Sequence, residues 1–360
     1  MHNSRLNCVL EKKIEMKRAL TEWIDPQGMA EARQDLTQIL VAHPNQSRRV
    51  AYLREYLNAV DRVYDRARLK GPAGCLARPL QCEYTCIRFG RLYCMTHRFP
   101  KFNGADQPRY ICAQGMPNVL RPYLMRKWAH DIDVANCHVT LMYQLGKYYH
   151  LWPEHAERNV PPLCLDTLQE LNDRRSEFIE YIADAHFLDE DAQQYRGFRK
   201  DTIKPLILRI MYGGSYEAWI KEQGLFAPPC AKVVKLQMEM KALRTALLNS
   251  VRFAPLVAVE RQAPKTRQRT QSAIDRGIFS KIAQHVECIV LLSMCDYLHA
   301  NGWTVHSLIY DGLTVEHCAG FELDTRAMER YVEYDTQFIV SIVEKPLYST
   351  SRPDPKSLMK

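Results

Sequence analysis

Residues 128–149 read WAHDIDVANCHVTLMYQLGKYY, and this stretch decides the fold. Its first half alternates. Successive side chains of a strand face opposite sides, so Asp131 and Asp133 share one face and Ile132 and Val134 the other. The second half changes period: Cys137, Leu141, Leu145 and Tyr149 recur every four residues, which is the buried stripe of a helix. A strand over 129–134 therefore gives way to a helix over 135–150. Two carboxylates at the mouth of one strand repel unless a cation neutralises them. Mg2+ is a hard ion that takes carboxylate oxygens. A plainer role stays open, in which one aspartate only caps the following helix.

Further along, residues 303–316 read WTVHSLIYDGLTVE, a strand–turn–strand pattern. Val305, Ser307 and Ile309 alternate with His306, Leu308 and Tyr310. Asp311-Gly312 signals the hairpin turn, since glycine accepts positive φ. Asp311 is either an ordinary turn residue or a carboxylate presented above the sheet. Between these two stretches lies RGFRKDTIKPLILRIMYGGSYEAW, residues 196–219. Arg196, Lys200, Lys204, Leu208 and Tyr212 fall every four residues, on one helical face with slow drift. A triphosphate could lie along the cations, with base and sugar near Tyr212. Gly213-Gly214 ends or kinks that helix. Pro205 removes a hydrogen bond, so the helix could instead begin afresh near Lys204. A solvated basic helix with a glycine cap is the plainer alternative.

The remaining pattern is helix-rich with a few non-local strands, so the class is α+β. Residues 11–70 read as helical, and 83–115 as extended and turn-rich. Residues 165–225 and 230–252 are mainly helical, 260–277 form a basic polar loop, and 278–300 a long apolar helix. The tail from Ser349 reads as loose.

The chain has 360 residues, 46% hydrophobic and 25% charged, with a net charge of +8. That composition permits a sizeable core. Lys and Arg cluster at 121–127, 196–204 and 265–276, as suits phosphate-bearing partners, although each cluster could equally be a solvated face. No run of 18 apolar residues exists, so no membrane span and no membrane partner are expected. The first residues lack the apolar core of a secretory signal. Twelve scattered cysteines read as reduced intracellular thiols. Localisation is therefore expected to be cytoplasm, nucleus or organelle interior, with a viral or mobile-element origin compatible. Cys82, Cys86, Cys94 and His97 offer four tetrahedral ligands. Their spacing is uncommon, and a hairpin with cysteines as small apolar groups is the plainer reading, so zinc is disfavoured. Cys288 and Cys295 read as core. Gln284 and Glu287 could reach a primer or template, with a solvated face the plainer reading.

Taken together, the three motifs resemble family A polymerases and their phage-type single-subunit RNA polymerase relatives. DVANCHVTL fits the family's DYSQIELR from Asp133, with Asn136 at the Gln and His138 at the Glu. Lys200, Lys204, Tyr212 and Gly213 match R-x3-K-x7-YG, with Lys for the leading Arg. Tyr310-Asp311-Gly312 stands at the family's HDE and keeps only the aspartate. The order is preserved over roughly residues 125–320. Asp131, Asp133, Asn136 and His138 are also similar to a divergent group with D-x-D-x-x-N-x-H.

The resemblance implies a right-hand polymerase without a proofreading exonuclease. Residues 1–80 would be an N-terminal helical region, thumb-like or accessory. Residues 81–160 would be the first part of the palm, 161–277 fingers-like helices, and 278–348 the second part of the palm with the catalytic hairpin. Residues 349–360 would be a loose tail. Asp133 and Asp311, assisted by Asp131, would hold two Mg2+ ions, with Mn2+ an alternative. Lys204 would grip the triphosphate and protonate the leaving pyrophosphate, with Lys200 and Arg196 in support. Tyr212, Gly213 and Asn136 would line the nucleotide, and His138 would screen the sugar. Because His138 is bulky, a DNA product is favoured over RNA. Partners would be a nucleic acid template and primer and nucleoside triphosphates; a helicase or primase partner is left open. The alternatives are an RNA polymerase or primase on the same scaffold, or a catalytically degenerate nucleic-acid-binding protein.

Overall fold

A computed structural model describes residues 17–65, 69–86, 89–94, 110–186, 196–224, 229–263, 269–317, 322–345, 347 and 349–359. The main elements, in chain order, are β1 (Lys17–Ile24), α1 (Pro26–Ala42), α2 (Ser47–Val63), β2 (Leu69–Lys70), β3 (Leu76–Cys86), β4 (Leu92–Cys94) and β5 (Ala129–Val134). Next come α3 (Cys137–Lys147), α4 (Asp166–Asp173), α5 (Arg175–His186), α6 (Arg196–Met211), α7 (Ala231–Leu248) and α8 (Gln271–Ala300). The hairpin β6 (Val305–Ile309) and β7 (Gly312–Glu316), α9 (Thr325–Thr336) and β8 (Ile342–Lys345) follow. The chain is α+β, and its strands pair antiparallel.

Two compact units divide it. One is the helical run 136–287; the other holds the described residues of 13–135 and 288–360. All the strands fall in the second unit. One sheet has the order β1-β3-β2, with β4 also on β3, and the other the order β6-β7-β5-β8. In the second sheet β5 has a neighbour on each side, and its apolar face buries Ile132 and Val134 with Leu308, Leu313 and Val315. That alternation is what the AHDIDV and LTV stretches encode.

Several expectations are corrected. Residues 17–24 are not helical: β1 pairs with β3 along its whole length, from Lys17 opposite Thr85 to Ile24 opposite Arg78. Its Lys, Arg, Ala, Leu and Glu are good helix formers, but the distant partner strand overrides that preference. Helix α1 does start where its signals stand, with Pro26 in its first turn and Asp25 accepting from the Gln27 N–H at 2.9 Å. Residues 11–16 lie outside the described residues.

The tail is not loose as far as residue 359. A turn of 3₁₀ helix covers Pro355–Met359, Leu358 is buried, and the Arg49 guanidinium donates to the Leu358 carbonyl at 2.8 Å. Arg352 also pairs with the buried Asp35 of α1. Helix α8 holds an 18-residue window of mean hydropathy 1.4, long and apolar enough to cross a membrane. It is the only single helix of that kind among the described residues, and 83% of the window is buried within the protein, as in a core helix.

Ile132 is fully buried at the centre of β5. Replacing it with alanine removes three methyl(ene) groups from a core that cannot fully collapse. Urea denaturation of Ile132→Ala should show a loss of about 2–5 kcal/mol. A loss below 1 kcal/mol would mean that β5 is not a central strand.

Candidate active site

Strand β5 places the two aspartates. Asp131 pairs with Thr314 of β7 and Lys345 of β8; Asp133 pairs with Gly312 and Val343. These partners share a face, so the aspartates point away from the Ile132 side. The next backbone bond runs from the Val134 N–H to the Asp311 carbonyl at 3.2 Å. Asp311 therefore sits at the end of β7 beside the end of β5, one position along from Asp133. Two segments nearly 180 residues apart in sequence thus bring their aspartates to the same end of one sheet.

Neither β5 aspartate caps α3. The cap residue is Asn136, in the left-handed region at φ 51°, and its side chain pairs with Arg175 instead. Asparagine tolerates that backbone better than most residues.

The turn differs in detail from its sequence reading. Positive φ falls on Tyr310, at 58°, and not on Gly312. A positive φ at the first loop position suits a primed two-residue hairpin, which twists with its strands. Gly312 is needed for another reason. A Cβ there would lie 2.5 Å from the Ile132 carbonyl oxygen and 2.8 Å from Asp133 Oδ1. Glycine lets β7 approach the backbone beneath the carboxylate.

Cations surround the acids. Lys345 forms an ion pair with Asp133, whose side chain remains 15% exposed. Burial pushes the Asp131 carboxyl above its usual range; Arg121 and Lys345 pull it down, and Asp133 pushes it up again. Arg91 stacks over the Tyr310 ring at 4.9 Å, a cation–π contact beside Asp311. No sequence pattern pointed to Lys345 or Arg91, and Arg121 stood out only as part of the basic cluster at 121–127. Lys345 closes the stretch IVEK at 342–345, two apolar residues followed by two charged ones, which carries no alternation to read as a strand.

The helical unit carries the remaining residues. Helix α6 runs unbroken through Pro205, so the restart near Lys204 does not occur. Lys204 and Leu208 are exposed on the stripe, and Tyr212 is partly buried. The side chains of Arg196 and Lys200 lie outside the described residues. The helix ends in a Schellman motif: Gly214 N–H to Arg209 carbonyl at 2.7 Å, Gly213 N–H to Ile210 carbonyl at 2.9 Å, and Gly213 at φ 78°.

The Tyr212 hydroxyl meets His138 Nδ1, with the two rings edge-to-face at 5.5 Å. The other ring nitrogen of His138 pairs with Glu287, which is 1% exposed. The expectation of a solvated face at Glu287 is therefore overturned. A buried carboxylate survives there because a polar ring faces it. The structure thus brings Tyr212, His138 and Glu287 into one chain of contacts, with Asn136 held separately by Arg175. Cys288 and Cys295 are buried, in keeping with a core role. His97, one of the four zinc-spaced residues, and 264–268 of the basic loop lie outside the described residues.

Gly312→Ala should lower the unfolding free energy by about 1–3 kcal/mol, because its methyl group collides with backbone. Gly277→Ala, within α8 and with nothing inside 4 Å of its new Cβ, should raise it by up to about 1 kcal/mol. Equal responses in urea denaturation would contradict the close approach of β7 to Asp133.

No protein-family model matches the sequence, and no curated protein matches it. Among solved structures, the polymerase domain of Pol1 from M. smegmatis, in complex with DNA primer-template and dNTP, is similar to this chain with a TM-score of 0.44 and 13% identity. The similarity covers 89% of this chain and 55% of that one, so the chain spans about half the length of that structure. A likeness of this size leaves the function to be read from the chain's own residues.

Proposed function

We propose that the chain is a template-directed nucleotidyltransferase that extends a DNA primer. One observation carries the reading: Asp133 and Asp311 lie at the same end of neighbouring strands, joined through the Val134 N–H and the Asp311 carbonyl. The motif order in the sequence supports it independently.

The donor set fits a hard divalent cation. Asp133, Asp311 and Asp131 offer carboxylate oxygens, and the burial that raises Asp131 is relieved by positive charge nearby. These three residues would hold two Mg2+ ions, whose chemistry is to lower the pKa of a primer hydroxyl and neutralise the phosphates of the incoming nucleotide. On this reading the β6-β7-β5-β8 sheet is the palm and α6 belongs to the fingers.

The protein's own part is positioning and charge. By the sequence pattern, Lys204 takes the triphosphate and protonates the leaving pyrophosphate, with Lys200 and Arg196 along the same helix. Tyr212 and Gly213 serve the nucleotide at the end of α6. His138 screens the sugar, and here contact geometry adds support. Its ring is held from both sides, by the Tyr212 hydroxyl and by Glu287, so it is a fixed bulky wall rather than a swinging side chain. Glu287 acts through His138 and is a positioning residue.

Primer extension with Mg2+, run separately with deoxy- and ribonucleotides, tests this reading. Asp133→Ala and Asp311→Ala should each lower incorporation about a thousandfold or more while the protein stays folded by circular dichroism. Incorporation that survives both substitutions would remove the proposal. His138→Gly should raise ribonucleotide use relative to deoxyribonucleotide by about tenfold, the factor for 1.4 kcal/mol of lost discrimination. An unchanged ratio would return the choice between DNA and RNA to open ground. Synthesis on an unprimed single-stranded template would favour a primase or RNA polymerase.

A further inference from the structure

The other sheet of the strand-bearing unit holds a cluster that nucleotidyl transfer does not use. Cys94 of β4 pairs with Tyr84 of β3, and Cys82 lies two residues along β3 on the same face. Glu22 of β1 pairs with Leu80, on the other side of β3. The sulfurs of Cys82 and Cys94 and a carboxylate oxygen of Glu22 all lie within 4.8 Å of one another. The Cys112 thiol, from the stretch that leads towards β5, interacts with Cys94. All four residues are buried, with Glu22 fully so.

Their surroundings are unlike a plain apolar core. Glu22 accepts from the Tyr64 hydroxyl at 3.1 Å, from the Ala113 N–H at 2.6 Å and from the Tyr84 hydroxyl. A carboxylate has about four lone-pair sites, so one remains after these three donors. The Gly115 N–H donates to Cys112 Sγ at 3.4 Å, a contact that favours sulfur carrying negative charge. A tetrahedral centre with bonds of about 2.3 Å to sulfur places its ligands about 3.8 Å apart, inside the 4.8 Å that encloses the donor atoms of Cys82, Cys94 and Glu22. Three sulfur donors suit zinc and not Mg2+ or Ca2+.

We propose that Cys82, Cys94 and Cys112, with Glu22 as fourth donor, form a structural zinc site. Loading releases the thiol protons to solvent, and the tyrosine hydroxyls and backbone N–H groups stabilise the charge that remains. The site ties β1 and the β3–β4 strands to the stretch that leads into β5. Its ligands differ from the spacing-based set, because Cys86 is occupied otherwise: its thiol donates to the Gly90 carbonyl at 3.4 Å.

Metal analysis of the full-length protein, purified from zinc-supplemented cells and dialysed against a chelator, is the test. About one zinc per chain is expected. Cobalt substitution should give a thiolate-to-cobalt charge-transfer band. Cys82→Ser and Cys112→Ser should each lose zinc and weaken that band, while Cys86→Ser keeps both. The proposal is overturned if the wild-type chain carries neither zinc nor the cobalt band. A disulfide among the three cysteines by mass spectrometry, or zinc that follows Cys86 and not Cys112, overturns it equally. The wild-type measurement stands even if a serine variant fails to fold. None of these readouts depends on primer extension.

Discussion

The register of β5 between β7 and β8 constrains everything built on it. Asp133 stands opposite Gly312 on one side and Val343 on the other. A slip of one residue would turn both carboxylates onto the face that buries Ile132 and Val134. The penalty for burying two charges there far exceeds any local preference, so the register is set by the acids as much as by the apolar residues. Glycine at 312 and the positive φ at Tyr310 follow from it: one admits the close approach of β7, and the other closes the hairpin in the right twist.

The electrostatics are arranged around the same strand. Lys345 meets Asp133, Arg121 lowers Asp131, and Arg91 covers the ring beside Asp311. In the helical unit, the buried Glu287 fixes the histidine that in turn meets Tyr212. His138 is an imidazole held between a hydroxyl and a carboxylate from α8.

Much of this was readable from residues alone, for definable reasons. Periods of two and four residues in 128–149 mark β5 and α3 because one face of each is buried, and burial writes itself into spacing. The start of α1 was passed over within a run read as helical from residue 11, although Asp25 and Pro26 carry the local capping chemistry that sets it. What stayed hidden is non-local. Strand β1 carries helix-forming residues and is extended only because β3 lies beside it. Lys345 sits in a four-residue strand whose meaning comes from β5. Glu287 looks like a surface residue until His138 is placed against it. The turn at 310–312 was found, but its glycine was explained by backbone conformation when the cause is crowding from the adjacent strand.

The sheet order also bears on how the chain reaches its folded state. Strand β5 is made before both its neighbours, which lie more than 170 residues further on. Closing loops of that length is slow, and until it happens β5 is an unpaired edge with both ladders open. Such an edge invites pairing with other molecules. Asp131 and Asp133, two charges within a six-residue strand, are the kind of residue that blocks that pairing. The carboxylates then guard the nascent polypeptide against aggregation before the sheet has closed around them.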